Sequence, residues 1–338
     1  MLLTLSAIII GFIGLIWSAD RFVAGAAGIA RNLGMAPIMI GLTIVALGTS
    51  APEIIVAINA AMDNAGGLAV GNALGSNLAN IGLVLGVTAL ISPIPISKTL
   101  LRREIPLLLG ATFAAIFFLY DHHLGLMDGV AFLLILAGIF YYLVNSKSHQ
   151  PDAEHEADVE HIPELTQSKA WWLFFLGLVL LVLSSRLLVW GAREIALAFG
   201  VSELIIGLTV VAIGTSLPEL AASAASALKG HHDIAIGNVV GSNLFNLLAV
   251  MAMPALIAPD TLETAVFNRD YIFMTALTVL LAVLMWLRQW RYNRQAQTLA
   301  EPALSAKHVA TIGRGDGALL LLCYFAYYYL LFPVAAPL

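Results

Sequence analysis

Forty residues beginning at Gly41, GLTIVALGTSAPEIIVAINAAMDNAGGLAVGNALGSNLAN, return from Gly207 as GLTVVAIGTSLPELAASAASALKGHHDIAIGNVVGSNLFN, with about half the positions identical and a constant offset. A chain repeated in this way is built by duplication, so its fold has to place two copies of one unit in related environments. More than a hydrophobic pattern returns. The repeated polar islands are Gly48-Thr49-Ser50, Pro52-Glu53, Asn72, Ser76-Asn77 and Asn80, all set within apolar runs. An ionisable residue inside a membrane-spanning segment is expensive and marks a functional site by default. Here two stand in matched positions, Glu53 and Glu219.

That the runs do span a membrane follows from composition: of 338 residues, 60% are hydrophobic and 11% charged, with a mean hydropathy of +0.91. These values lie far from those of a soluble domain. Apolar stretches of about 20 residues cross the hydrocarbon core as helices, and the lack of period-two alternation argues against a barrel. The predicted fold is an all-α polytopic membrane protein. Spans are expected at 4–30, 36–61, 67–91, 101–120 and 126–145, then at 169–198, 203–228, 233–258, 270–289 and 316–335. Five helices per half is an odd number, so the second half enters from the opposite face, giving ten transmembrane helices as two inverted five-helix repeats. The units are 1–145 with its motif at 41–80, a linker at 146–168, and 169–338 with its motif at 207–246. The linker carries Asp152, Glu154, Glu156, Asp158, Glu160 and Glu164 with His149, His155 and His161, and reads as a solvated tether. It lacks the Gly-centred D-x-[DN]-x-[DN]-G loop of a dedicated Ca2+ site.

Basic residues in short loops set the expected orientation. Lys98, Arg102, Arg103, Lys229, Arg288, Arg291, Arg294, Lys307 and Arg314 fall on one side, and Asp63, Asp121, Asp128, Asp260, Glu263 and Asp270 on the other. The positive-inside rule then puts both termini outside and the linker in the cytoplasm, in the cell membrane, or the inner membrane of a Gram-negative cell. Arg193 and Arg269 run against that count. The first apolar run has no basic segment before it and reads as a helix, not a removable signal. The single Cys323 offers neither a disulfide nor a thiolate metal site, and the formal charge of −5 implies no nucleic-acid partner.

The repeated residues suit a hard cation. Pro52 and Pro218 stand in helical runs where each lacks an N–H, so carbonyls around Ala46 to Thr49 and Ala212 to Thr215 are expected to lose their usual partners. Glu53 and Glu219 follow directly, with Ser50 and Ser216 about one turn earlier. Each broken helix therefore offers a carboxylate, a hydroxyl and carbonyls. Ca2+ takes roughly 6 to 8 oxygen ligands, and two carboxylates match its charge. Asn72, Ser76, Asn77 and Asn80 lie along one side of the third span, and their counterparts along the eighth.

Both motifs, present twice at identical spacing, resemble the two α-repeats of the sodium/calcium exchanger family within the calcium/cation antiporter superfamily. The likeness is dense over the second, third, seventh and eighth spans. It implies that Glu53 and Glu219 are shared Ca2+ and Na+ ligands, with the carbonyls of Thr49 and Thr215 joining the Ca2+ shell. It further implies that Ser50, Ser216, Ser76, Ser242 and the carbonyls of Ala46 and Ala212 serve Na+, and that Asn80 and Asn246 line the centre. Some members, including potassium-dependent ones, carry Asp where Asn246 stands, so the resemblance leans against K+ co-transport without excluding it.

The expected activity is secondary exchange of Na+ for Ca2+ by alternating access, with the transported ions as substrates, the bilayer as surroundings and no cofactor. The alternative is an H+/Ca2+ antiporter using the same pair of Glu, or a cation channel. Matched inverted halves favour alternating access over a permanent pore. An intramembrane hydrolase would need a metal set such as H-E-x-x-H or an activated nucleophile, and no His lies near either Glu in sequence, so no enzyme is expected.

Overall fold

The computed structural model describes residues 2–145, 164–200, 212–298 and 310–331. Helices follow in the order expected: α1 (Leu2–Leu33), α2 (Pro37–Thr49), α3 (Ala51–Met62), α4 (Gly66–Ile91), α5 (Ile105–Leu119), α6 (Leu126–Asn145), α7 (Gln167–Ala198), α8 (Ala212–Thr215), α9 (Leu217–Leu228), α10 (His232–Ile257), α11 (Val266–Gln295) and α12 (Arg314–Leu331). Among the described residues six are long and apolar enough to cross a bilayer, or seven with the bent pair α2 and α3 taken as one span. The start of the expected seventh span and most of the linker lie outside the described residues. At the linker's end Glu164 pairs with Arg31 at 2.6 Å, and Asn32 donates to the carbonyl of Leu165 at 3.0 Å.

The two longest helices, α1 and α7, run antiparallel against each other, and their glycines explain how close they come. A Cβ on Gly25 would lie 2.4 Å from the amide N of Phe174, and one on Gly177 would lie 2.5 Å from that of Phe22. Small residues at such crossings let backbones touch where lipid supplies no hydrophobic drive between helices. The contacts are reciprocal. Gly11 meets Leu188 as Gly177 meets Phe22, and Gly25 meets Phe174 as Gly191 meets Ile8, each pair displaced by the offset of the sequence repeat. Equivalent helices lying antiparallel are related by a twofold axis across them, which is the inverted arrangement expected from an odd helix count.

Two short antiparallel β-pairs, absent from the all-α expectation, obey the same symmetry. Ile94–Pro95 pairs with Thr311–Ile312, and His123–Leu124 pairs with Asp260–Thr261. Each joins a loop of one half to a loop of the other. Backbone groups in these loops cannot be left unpaired near the apolar phase, so they pair across the repeat boundary. Ile9, Ile13, Phe117, Trp172 and Phe325 stand exposed on the outer helices, as a lipid-facing surface requires.

The main core packs α2, α3, α4 and α10 with α5, α6, α11 and α12 around them, and α4 and α10 are the most deeply enclosed spans. Both loosen into π-helical turns, at Asn80–Leu85 and Asn246–Val250, directly after their polar motifs. Such turns shift the following side chains around the helix and are frequent at functional sites.

Candidate functional site

Two helix breaks meet at the centre of this core. The chain leaves α2 at Ser50 (φ −84°, ψ 0°) and α8 at Ser216 (φ −90°, ψ 4°), both in the sparsely allowed bridge region. Pro52 and Pro218 stand in the first turn of the helices that follow, where a missing N–H costs nothing. The bend between α2 and α3 is 43°. Glu53 and Glu219 also occupy those first turns, where the positive end of the helix dipole favours a carboxylate.

The expectation that the Ala46 carbonyl loses its partner is corrected by the geometry. It accepts the Ser50 N–H at 2.9 Å and the Thr49 hydroxyl at 3.4 Å, because the chain keeps one further helical bond before turning. The second break is tighter: the Ser216 N–H bonds the carbonyl of Ile213 at 3.1 Å, one residue short of the α-helical partner Ala212.

Glu53 is 0% and Glu219 1% exposed, so neither carboxylate reaches bulk water. Neither oxygen of Glu53 has a hydrogen-bond partner among the described residues, nor has Oε2 of Glu219, whose Oε1 accepts from the Ser50 hydroxyl at 3.4 Å. Buried carboxylates left with so few donors are suited to a cation ligand. Around them Thr49, Ser50, Ser76, Asn80, Ser216, Ser242 and Asn246 are buried, while Thr215 is partly open. The amide groups of Asn80 and Asn246 and the hydroxyl of Ser216 also lack hydrogen-bond partners among the described residues. The side chain of Ala212 lies outside the described residues.

A hydrogen-bonded strut, only part of which was expected, braces the site. Thr49 Oγ1 donates to Asn238 Oδ1 at 3.1 Å, and Asn238 Nδ2 donates to the Ser223 hydroxyl at 2.9 Å and to the Glu219 carbonyl at 3.4 Å. Thr49 also lies 3.4 Å from the Ser242 hydroxyl. The first-half counterpart is weaker, with Asn72 Nδ2 reaching the Glu53 carbonyl at 3.5 Å. Ser223 carried no signal in the repeat, because its counterpart is Ala57, so comparing the halves passes over it. Asn77 turns away from the cluster and donates to the sulfur of Met274 at 3.4 Å.

The side chains gathered here are two carboxylates, hydroxyls and amides, an oxygen-rich set of the kind that hard cations take. The family model described as sodium/calcium exchanger protein matches residues 3–145 and 169–332, nearly the whole chain outside the linker.

The chain belongs to the sodium/calcium exchanger protein family. It is a polytopic membrane transporter, not an enzyme. Its relatives include a protein named CaxA from Alkalimonas amylolytica, 45% identical over 98% of this chain and 99% of its own length. Another is the inner membrane protein YrbG of Escherichia coli, 40% identical over 85% of this chain and 90% of its own. A solved structure of the sodium-calcium exchanger NCX_Mj, soaked with zero Na+ and Ca2+, superposes with a TM-score of 0.78 at 31% identity, covering 97% of this chain and 99% of that one.

Proposed function

We propose that this protein exchanges Na+ for Ca2+ by alternating access, with Glu53 and Glu219 as ligands shared by the two ions. The observation that carries this reading is the pair of fully buried carboxylates at two symmetry-related helix breaks, one from each repeat. Two carboxylates in a dry site make the empty state costly, so the site holds one Ca2+, several Na+, or protons. Ions that need the same ligands compete for them. If only loaded states reorient, Na+ binding on one side drives Ca2+ release on the other.

In this reading the carbonyls of Thr49 and Thr215 complete the Ca2+ shell. Ser50, Ser216, Ser76 and Ser242, with the carbonyls of Ala46 and Ala212, serve Na+, and Asn80 and Asn246 line the centre. The site lies in the cell membrane, with both termini outside and the linker in the cytoplasm. The reading is supported by family membership, by the likeness to NCX_Mj, and by a sequence that places no His or Cys beside either Glu. The deciding experiment is Ca2+ uptake into proteoliposomes with Na+, K+ or H+ gradients imposed singly. Flux driven by Na+ alone is expected; flux driven only by H+ would replace the reading with H+/Ca2+ antiport using the same carboxylates.

A further inference from the structure

The offset that carries Gly41 onto Gly207 also carries Asp20 onto Arg186 and Asp63 onto Lys229. The backbone confirms these matches. Positive φ occurs at Gly34 and Gly200 between equivalent elements, and at Asn64 and Gly230 just after Asp63 and Lys229. Asp63 and Lys229 cap the C-termini of α3 and α9 in the same way.

In the structure Asp20 on α1 and Lys229 at the end of α9 form an ion pair at 2.7 Å, reinforced by a bond from the same ammonium to the Asp20 carbonyl at 3.0 Å. Around it Leu15 and Ala19 pack on Leu217, Ala221 and Ala225, so α1 is closed against α9. The symmetry-related pair is Arg186 on α7 with Asp63 at the end of α3. Both members have the opposite sign from their counterparts, so the pair is still complementary, yet it is not formed. Arg186 and Asp63 are both exposed. Where Ala221 is partly buried against α1 on the closed side, its counterpart Ile55 is 49% exposed. A cavity of about 300 Å3 separates α7 from α3, walled by Val182, Arg186 and Val189 on one side and Pro52 and Val56 on the other, and it reaches Thr215 beside the carboxylate site.

We propose that Asp20–Lys229 and Asp63–Arg186 are two alternating latches, one on each face, of which one is closed when the other is open. In a chain of two inverted repeats, the opposite-facing state follows when each half adopts the conformation now held by the other. Applied here, that exchange separates α1 from α9, breaks Asp20–Lys229, collapses the cavity between α7 and α3, and brings Arg186 to Asp63. The sign reversal has a further consequence. Arg186 on α7 and Asp20 on α1 each meet only the helix end that carries the opposite charge, so neither latch can close with the wrong partner. An Asp at a helix C-terminus opposes the helix dipole, so Asp63 gains more from a cationic partner than Lys229 does from an anionic one. These are positioning residues: they set which face is open and do not touch the ion.

The idea rests on the alternating-access reading but not on which ions are exchanged, and its test reads sidedness instead of flux. In a Cys323→Ala background, Val189→Cys places a thiol in the cavity wall, and its labelling by a membrane-impermeant maleimide reports the open cavity. Arg186→Gln or Asp63→Asn should raise that labelling, and Asp20→Asn or Lys229→Gln should lower it, each by roughly two- to fivefold as expected for exposed ion pairs. Reversal of both charges, Arg186→Asp with Asp63→Arg, should restore the starting level. Independently, Asp63→Cys with Arg186→Cys should cross-link during turnover and abolish labelling until reduced. Equal shifts in all four single variants, no shift in any, or a 63/186 pair that never cross-links while Asp20→Cys with Lys229→Cys does, would overturn the latch. A protein that failed to move Ca2+ with Na+ but showed the opposed labelling shifts would retain the latch and lose only the ion assignment.

Discussion

The Ser50 hydroxyl donates to Oε1 of Glu219 across 3.4 Å, although the two residues lie 169 positions apart and in different repeats. The Thr49 hydroxyl likewise reaches Asn238 of the second half at 3.1 Å. Each broken helix therefore contributes to a single shared cluster instead of forming a separate site. In the proposed exchange, this gathering is what lets one divalent ion be held by both carboxylates.

Replacing either carboxylate should be the most damaging change. Glu53→Gln or Glu219→Gln leaves a divalent charge half matched in a buried site, and breaking a buried charge pair costs about 3 to 5 kcal/mol, so Ca2+ flux is expected to fall at least about a hundredfold. Membrane insertion and thermal unfolding of the detergent-solubilised protein should be nearly unchanged. The check is Na+-driven Ca2+ uptake at equal protein density, and near-normal uptake in either variant removes that Glu from the site.

The strut from Thr49 through Asn238 to Ser223 should matter through positioning. Thr49→Val keeps the shape but deletes the hydroxyl bonded to Asn238, leaving a buried amide oxygen short of a donor at about 1 to 3 kcal/mol. Apparent Ca2+ affinity should drop by roughly tenfold. Thr49→Ser should recover most of it. Isothermal titration of the three proteins with Ca2+ distinguishes the outcomes, and equal affinity for Val and Thr would show that the strut is dispensable.

The α1–α7 crossing should be intolerant of added volume. A methyl at Gly25 or Gly177 would meet backbone at 2.4 or 2.5 Å, and overpacking of this kind costs about 1 to 3 kcal/mol. Gly25→Ala and Gly177→Ala should lower Tm by several degrees and slow exchange. Gly67→Ala, at a position with open space around it, is the matched control and should leave both unchanged.

Asn246 is buried, and its amide groups make no hydrogen bonds to the described residues. An uncharged side chain there leaves the centre one anion short of what an added monovalent ion needs, so Na+-driven Ca2+ flux should proceed without K+. Asn246→Asp should make flux more sensitive to pH and to K+, because a third carboxylate near Glu53 and Glu219 must itself be neutralised by an ion or a proton. Flux in K+-free and K+-containing vesicles over a pH series, for both proteins, tests the point; strict K+ dependence of the unmodified chain would reverse it.

Much of this molecule was legible one segment at a time. Apolar runs of spanning length located the helices, because burial of backbone polar groups in lipid leaves local helical bonding as the available solution. Proline and serine at Ser50-x-Pro52 and Ser216-x-Pro218 marked the breaks, and duplication separated Glu53 and Glu219 from incidental charges. These are local signals, in which the responsible residues lie within a turn or two of one another. Ser223 escaped because its counterpart, Ala57, carries no polar group, the Ala46 carbonyl was expected bare because a proline's missing N–H does not reveal which earlier bonds survive, and the β-pairs join loops more than a hundred residues apart.

Which face is closed was decided only by the tertiary packing. Asp20, Lys229, Asp63 and Arg186 can all be read from the chain, and the repeat matches Asp20 with Arg186 and Asp63 with Lys229. Yet the two interfaces, α1 with α9 and α7 with α3, are built from matching segments, so local propensity cannot tell which of them is packed. The choice rests on long-range packing that breaks the symmetry: α1 laid on α9, and a cavity left between α7 and α3. The amino-acid order gives the two halves one common set of helices, and the three-dimensional balance of contacts sets which of the two interfaces is packed in this structure.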